Sequence, residues 1–228
     1  MRYLKNLFFK PIKRLGIAIF NRLQTWSEAD LPRFATEPKN LQILLPRTIT
    51  NPHRIRIGDD VWLGPGALLV PAVRFPSQPL FPAGMSAGFK QVFDPKITIG
   101  DRVTSTGGLV LGAHQEITIE DDVMFASNVM ISDAVHGYDT AHTPYKYQPM
   151  RGIAPIVIKR GCWIGQNVVV LPGVTIGEYS IVGANSVVTK SIPARCIAFG
   201  APARIAKQWD ETAQDWVDAT QTTVTHDD

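Results

Sequence analysis

Residues 158–193 read IKRGCW IGQNVV VLPGVT IGEYSI VGANSV VTKSIP, and an aliphatic side chain opens each of these segments. A period of six fits neither the 3.6-residue repeat of an α-helix nor the two-residue alternation of a half-buried strand. It is typical of a short strand followed by a sharp turn, with three such units closing one triangular coil. The stretch therefore predicts a prism of stacked coils, in which the opening aliphatic side chains point inward and stack on one another.

The same period continues towards the N-terminus. Runs of the segment begin at Ile57 (IGDDVW), Ile99 (IGDRVT) and Ile119 (IEDDVM). Ser105 is a polar residue at a position where the pattern expects an aliphatic one. The repeats together predict an all-β domain over residues 41–203.

Two stretches interrupt the repeat. Residues 75–96 are rich in Pro, Gly and Phe, and residues 137–157 leave the prism directly after His136. Loops of this length in a compact domain are usually functional or disordered. The second stretch carries aromatic and basic side chains that suit a sugar ligand. We therefore expect the acceptor-binding loop of the protein there.

The segments that flank the prism have helical patterns. Residues 1–40 form a basic N-terminal segment whose amphipathic helix could either contact an anionic membrane surface through residues 1–25 or pack over the open end of the prism. Residues 204–228 are expected to form a C-terminal capping helix and tail. Trp209 and Trp216 lie seven residues apart, which would place them on one face of that helix.

The bulk composition excludes several classes of protein. The net charge of +3 is too small for a nucleic-acid-binding face. The two cysteines do not make a disulfide framework or a metal-ligand pair, and no apolar run is long enough to span a bilayer. Without a secretory leader pattern, the expected location is the cytoplasm, with possible peripheral contact at the inner membrane face.

Four segments carry a resemblance to a known family: ISDAVHGYDT, GCWIGQNVVVLPGVTIG, VGANSVVTKSIP and AFGAPARIAK. The chain resembles the hexapeptide-repeat acyltransferases, and within them the O-acetyltransferases of bacterial surface-polysaccharide (O-antigen or capsule) synthesis. The resemblance implies a left-handed parallel β-helix and a homotrimer. It also implies acetyl-CoA as co-substrate, no metal, and a sugar or lipid-linked glycan as acceptor.

The resemblance implies a general base at His136. In the family the base closes the hexapeptide that precedes the long loop, and His136 has that position in ISDAVH. Histidine titrates near neutrality, which suits it to accept the proton of an attacking hydroxyl. Many relatives read Asp-His-x-His here, whereas this chain has Ala134 in place of the first histidine. Asp133, Asp139 or a backbone carbonyl are candidates for orienting the base.

Acceptor-binding residues are expected near the same place: Thr106, His114, Asp133, Tyr138 and Asp139. The galactoside and maltose enzymes have an Asn at the register position of Thr106, so the departure argues against those two sugars. His114 lies in the over-long segment LGAHQEIT; the alternative is that it is an exposed turn residue.

The resemblance places the co-substrate by register. Small residues let the pantetheine arm of coenzyme A approach the backbone, and cationic residues meet its phosphates. The expected contacts are Ala126, Trp163, Ala184, Thr189, Lys190, Arg204 and Lys207. For Lys190 and Arg204 the alternative is ordinary surface charge, and for Trp163 it is packing at a corner of the prism.

Two other functions remain open from the sequence. One is an N-acyltransferase of a nucleotide-linked amino sugar, in which a free amine would need less help from His136. The other is an inactive scaffold or a zinc protein of the γ-carbonic-anhydrase type. A zinc site would need three histidines, and His114 and His136 lack an evident third partner.

Overall fold

The computed structural model describes residues 15–17, 19, 30–76 and 88–219. Residues 15–17 and 19 are helical. The remainder of the expected N-terminal helix, with its proposed membrane contact, lies outside the described residues. Within the described ranges, no helix combines the length and the hydropathy needed to cross a bilayer.

Three parallel sheets form the faces of the prism, and the chain visits them in turn. The first face contains β1 (Gln42–Ile43), β4 (Trp62–Leu63), β9 (Thr104–Ser105), β12 (Met124–Phe125), β17 (Trp163–Ile164), β20 (Ile181–Val182) and β22 (Cys196–Gly200). The second face contains β2 (Arg47–Ile49), β5 (Ala67–Pro71), β10 (Val110–Ala113), β13 (Met130–Ser132), β18 (Val169–Val170) and β21 (Val187–Val188). The third face contains β3 (Ile55–Ile57), β8 (Lys96–Ile99), β11 (Glu116–Ile119), β16 (Ile156–Ile158) and β19 (Thr175–Ile176).

This architecture is a parallel β-helix, and it is consistent with the left-handed form. We call the turns from the first face to the second the first edge, those from the second to the third the second edge, and those from the third to the first the third edge. Two short 3₁₀ turns, Pro52–Arg54 and Tyr145–Tyr147, lie at or beyond the second edge.

The aliphatic repeat fills the interior, as the sequence predicts. The side chains that open the segments of residues 158–193 are fully buried: Ile158, Ile164, Val170, Ile176, Val182 and Val188. Each one stacks on its equivalent in the next coil, as in the register Ile164↔Val182. Burying one such side chain contributes about 1.5–3 kcal/mol, so the stack is the main source of stability.

Ser105 is the polar exception in this stack. It is fully buried, paired with Leu63 on one side and Phe125 on the other. Phe125 is the largest of the fully buried side chains, and the small Ser105 beside it leaves room for the ring. The Ser105 hydroxyl accepts the Gly107 N–H at 3.3 Å, which satisfies its buried oxygen.

The turns at the first and third edges place one residue in the left-handed region, which favours Gly, Asn and Asp. At the first edge three asparagines have φ near 60° and form a ladder of side-chain amides. Asn128 donates to Asn167 at 3.3 Å, and Asn167 donates to Asn185 at 2.9 Å. The ladder links successive coils on the outside as the aliphatic stack links them inside.

Residues 204–219, the described part of the C-terminal segment, form strands and not the predicted capping helix, so this expectation was wrong. β23 (Ala203–Asp210) pairs antiparallel with β22, and β24 (Asp215–Asp218) pairs antiparallel with β23. Trp209 faces Trp216 across the two strands, with ring centroids 5.5 Å apart. The seven-residue spacing therefore reflects a pair of residues that face each other across two strands, and not one face of a helix. The hairpin forms because the last strand of the prism exposes an unpaired edge that β23 satisfies.

Candidate active site

Two excursions leave the prism at its second edge. The first excursion, residues 72–95, contains the antiparallel pair β6 (Arg74–Phe75) and β7 (Gln91–Val92); its residues 77–87 lie outside the described part of the chain. The second excursion, residues 133–155, contains the antiparallel pair β14 (Val135–His136) and β15 (Met150–Arg151). Because β5 and β13 both pair with β10, the excursions flank the turn that carries His114.

His136 lies at the base of the second excursion and its side chain is exposed. Its backbone pairs with Met150, and its ring stands edge-on to Phe75 with centroids 5.3 Å apart. Among the described residues, neither ring nitrogen has a hydrogen-bond partner. The geometry thus fixes the plane of the ring by an aromatic contact and leaves both nitrogens available to a ligand.

The two excursions are joined to each other. The Gln91 side chain donates to the Met150 carbonyl at 3.0 Å and accepts the Met150 N–H at 2.7 Å. Phe75, Ala134 and Met150 form a small buried cluster beneath this contact, and Phe89 stacks on Phe75 at 6.0 Å. The first excursion therefore supports the strand that carries His136.

The Asp133 carboxylate binds backbone N–H groups of a neighbouring turn. Its carboxylate is fully buried and accepts backbone N–H groups of His114 at 2.7 Å, Gln115 at 2.7 Å and Glu116 at 2.8 Å. Both oxygens are occupied by the turn of the neighbouring coil. The carboxylate therefore has no exposed surface to offer an acceptor, and its predicted part in orienting His136 stays a prediction.

His114 is not the exposed turn residue that the sequence left open as an alternative. Its side chain is 12% exposed, and its ring stands edge-on to Phe93 with centroids 5.0 Å apart. Its Nδ1 lies 3.5 Å from the Asp133 carboxylate and is buried without a hydrogen bond. His114 thus lies between the two excursions on the coil next to His136, and its contact with an acceptor stays a prediction.

Asp139 and Tyr138 both contact the guanidinium group of Arg151 in the second excursion. Arg151 donates to Asp139 at 2.6 Å, and its guanidinium carbon lies 4.3 Å from the centroid of the Tyr138 ring. Deeper in the excursion, the buried Gln148 side chain donates to the carbonyls of Thr140 and Thr143, both at 2.8 Å. Asp139 is therefore engaged with Arg151 rather than with His136.

The residues expected at the co-substrate lie on several separate parts of the structure. Ala126 and Ala184 lie along the first edge, together with the predicted acceptor residue Thr106, whose hydroxyl is 2.9 Å from that of Ser127. Trp163 lies on the first face and is 47% exposed. Thr189 and Lys190 follow β21 at the second edge, below His136, and Arg204 and Lys207 are exposed on β23. One chain therefore does not bring the first-edge residues to His136.

This distribution fits the chemistry of coenzyme A. Ala126 is half-buried and Ala184 is exposed, and their small side chains leave the backbone open to a thin chain, which bulky side chains would block. Within the described residues, Lys190, Arg204 and Lys207 make no ion pair with an acidic side chain, so their charges are available to phosphates. No three His, Cys, Asp or Glu side chains in the same ranges are grouped so as to hold a metal.

Sequence reasoning missed the aromatic support of the two histidines. Phe75 and Phe93 contact His136 and His114, and Gln91 ties the excursions together. The available signal was that both excursions follow strands of the same face, so stacking must place them at the same edge.

Comparison with known proteins finds similarity to bacterial transferases with hexapeptide repeats. A profile described as "Bacterial transferase hexapeptide (six repeats)" matches residues 155–190. The chain is 38% identical over 116 residues to the galactoside O-acetyltransferase of Escherichia coli, covering 51% of this chain and 56% of that protein. It is 36% identical over 126 residues to a putative lipopolysaccharide biosynthesis O-acetyl transferase of Escherichia coli, covering 53% of this chain and 64% of the relative.

The fold is shared with a more distant enzyme of known structure. A crystal structure of a point mutant of AntD, an N-acyltransferase from Bacillus cereus, in complex with dTDP and coenzyme A superposes with a TM-score of 0.59. The identity is 23%, and the match covers 79% of this chain and 87% of that chain. The chain spans less than two thirds of the length of the two curated relatives described above. In its repeats, in its coil register and over about half of its length, the chain is similar to the hexapeptide-repeat acyltransferases.

Proposed function

We propose that this protein transfers the acetyl group of acetyl-CoA to a hydroxyl of a sugar in a surface polysaccharide or its lipid-linked precursor. The observation that carries the proposal is the exposed His136 at the base of the second excursion, held by Phe75 and with both nitrogens unbonded among the described residues. The two curated relatives are both named as O-acetyltransferases, which supports the reaction type.

His136 is the general base of the proposed reaction. One ring nitrogen accepts the proton of the acceptor hydroxyl while the hydroxyl oxygen forms a bond to the acetyl carbonyl carbon. The carbon–sulfur bond breaks, and the proton held by His136 passes to the departing thiolate. The products are the acetylated sugar and free coenzyme A, and His136 returns to its neutral state. Acetyl-CoA supplies the activated acyl group as a thioester.

The acceptor is expected to lie between the two excursions. Tyr138, Asp139 and Arg151 of the second excursion offer an aromatic face and charged groups to sugar hydroxyls. Phe93 and His114 close the opposite side. Thr106 in place of an Asn, as noted from the sequence, argues for an acceptor other than a galactoside or maltose.

We propose that the active enzyme is a homotrimer. The first-edge residues Ala126 and Ala184 and the second-edge residue His136 lie on different edges of one prism, so a second copy is needed to bring both sets together. The first face exposes Trp62, Met124 and Trp163, which are 36%, 46% and 47% accessible. Exposed apolar ladders of this kind are typical of subunit interfaces.

The experiment that tests the proposal measures release of free thiol from acetyl-CoA in the presence of a panel of glycans and amino sugars. The wild type is compared with His136→Ala and with the control His142→Ala, an exposed histidine of the same excursion. We expect His136→Ala to lower kcat by about 10²- to 10⁴-fold, which is the usual contribution of a general base. The Kd of acetyl-CoA should not change.

Two outcomes would contradict the proposal. A rate that depends on an amino sugar and is unaffected in His136→Ala would favour transfer to nitrogen, since a free amine needs no base of this kind. Absence of acetyl-CoA binding in the wild type would remove the acyl-transfer function altogether.

A further inference from the structure

A small aromatic cleft lies at the C-terminal end of the prism, at the third edge. Tyr179, Arg195, Trp209 and Trp216 line it, and its volume is about 170 Å³. Three of the four side chains are aromatic, and Tyr179 is 47% exposed. The cleft forms because the C-terminal hairpin folds back towards the turns of Tyr179 and Arg195, with the Trp209 N–H donating to the Arg195 carbonyl at 2.9 Å.

One turn residue of this cleft, Tyr179, is unusual for its backbone conformation. At the third edge, the left-handed position of successive turns is occupied by Asp60, Arg102, Asp122 and Gly161, and then by Tyr179 at φ 56° and Arg195 at φ 54°. A bulky aromatic residue is strained in this conformation, and such strain persists mainly where a side chain has a function. Tyr179 and Arg195 lie on adjacent coils, and both line the cleft.

The Tyr179 ring is held against the prism. A Cβ placed on Gly161 would lie 2.5 Å from the Tyr179 ring, so the ring lies directly over the backbone of that glycine. One face of the ring is thereby covered. The contact restricts rotation of the Tyr179 ring, so the ring gives a fixed aromatic wall to the cleft that Trp209 and Trp216 also line.

The size and charge of the cleft restrict its ligand. Pockets that enclose drug-sized molecules measure roughly 300–1,000 Å³, so about 170 Å³ admits a single ring and not a whole cofactor. Arg195 is paired with Glu211 at 2.9 Å, and Asp210 and Asp215 stand beside the two tryptophans on the hairpin. A phosphate or carboxylate would meet net negative charge here.

We propose that this cleft binds one neutral sugar ring of a glycan. The C–H groups of a pyranose face would lie against Tyr179 and the indoles, which offer large apolar surfaces at an exposed site. The guanidinium of Arg195 would donate to ring hydroxyls and the carboxylate of Glu211 would accept from them. Glu211 also accepts the indole N–H of Trp209 at 3.3 Å, so it holds both partners in place.

The cleft lies on a different edge of the prism from His136, so it is a second glycan contact. Its use as a subsite for a longer acceptor rests on the proposed function. The binding itself does not, because a sugar can occupy the cleft whether or not acetyl transfer takes place.

Tryptophan emission of the intact protein tests the proposal, because two tryptophans line the cleft. The probes are neutral gluco-, galacto- and manno-oligosaccharides, with adenosine and glucuronic acid as comparisons. Tyr179→Asn removes the ring. Asparagine occupies the left-handed position in the turns of the first edge, so the variant is expected to fold with the melting temperature of the wild type. Arg195→Asn is a second variant of the same design, and Arg102→Asn is the matched control at the third edge, outside the cleft.

We expect at least one neutral oligosaccharide to change the emission saturably in the wild type and in Arg102→Asn. Tyr179→Asn should raise its Kd about tenfold or more, equivalent to about 1.4 kcal/mol. Binding by His136→Ala should equal that of the wild type, which separates this proposal from the transfer reaction. No response to any neutral oligosaccharide, equal affinity in Tyr179→Asn, or a Tyr179-dependent response to adenosine or glucuronic acid would each overturn it.

Discussion

The ring of His136 stands edge-on to the ring of Phe75, with centroids 5.3 Å apart and planes inclined at 69°. Phe75 belongs to the first excursion and His136 to the second, so the proposed base is positioned by a residue far from it in the chain. Edge-to-face pairs contribute about 0.5–1.5 kcal/mol beyond their burial. A contact of that strength is enough to select one orientation of an otherwise exposed ring.

Phe75→Leu should lower kcat by about two- to tenfold, because leucine fills the buried space but lacks the ring edge that orients His136. The KM for acetyl-CoA should remain at the wild-type value, and thiol release measured over a range of acetyl-CoA concentrations up to saturation checks both quantities. Val92→Leu, at an exposed position of the same hairpin, is the control. An unchanged kcat in Phe75→Leu would show that the aromatic contact does not position the base.

Gln91→Glu should loosen the second excursion. A carboxylate can accept the Met150 N–H but cannot donate to the Met150 carbonyl, so one of two hydrogen bonds is replaced by repulsion. We expect faster amide hydrogen exchange over residues 135–151 and a kcat lowered by up to about 10²-fold through misplacement of His136. Gln166→Glu, at an exposed turn of the first edge, should change neither; equal exchange in both variants would contradict the proposed link.

Asp133→Asn should lower the free energy of unfolding by about 2–3 kcal/mol, because an amide nitrogen cannot accept the backbone N–H groups that the carboxylate now accepts. Denaturant unfolding followed by circular dichroism measures the loss. Asp139→Asn breaks an exposed ion pair and should cost less than about 1 kcal/mol. Similar losses in the two variants would contradict the structural role of Asp133.

Cys162 should be unreactive in the folded protein at neutral pH. Burial raises the pKa of its thiol to about 11, and the sulfur donates to the Gly177 carbonyl at 3.0 Å. Burial also raises the pKa of Cys196. A thiol reagent at pH 8 is expected to label neither cysteine until denaturant is added, and rapid labelling of the native protein would be the contrary result.

The raised pKa of Cys162 makes the free energy of unfolding depend on pH, and it fixes the direction of that dependence. The folded state keeps the Cys162 proton up to about pH 11, whereas a cysteine in an unfolded chain loses it near pH 8.5. Above that lower value the unfolded state binds fewer protons, so the free energy of unfolding should fall as pH rises from about 9 to 11. Cys162→Ala should weaken this dependence, as denaturant titrations across that range would show.

The repeat made the prism predictable because each inward position is specified locally, by an aliphatic residue every sixth place. Ile164 and Val182 are buried and in register as expected. The C-terminal hairpin was missed because a seven-residue spacing between Trp209 and Trp216 is compatible with one face of a helix and also with a facing pair in a β-hairpin. Only the open edge of β22, a tertiary feature, decides between them.

The candidate site was predictable only in part. The position of His136 follows from the repeat register and from the family resemblance. The contacts that hold the His136 strand in place do not follow from either, because the hydrogen bonds between Gln91 and Met150 join residues 59 positions apart in two irregular segments. The repeat places both segments at one edge of the prism, but no period relates the segments themselves, so their individual contacts could not be predicted. The burial of Asp133 was missed for the same reason, since its partners lie on the preceding coil.

The link between Gln91 and Met150 also constrains how such a protein can be recombined with its relatives. Both excursions rise from one edge, and each supplies half of a two-bond contact beside the proposed base. A crossover placed between residues 95 and 133 would inherit the two halves from different parents and leave them mismatched. Breakpoints before residue 72 or after residue 155 keep the two halves together. In chimaeras built to exchange acceptor preference, residues 72–155 therefore have to be taken from one parent.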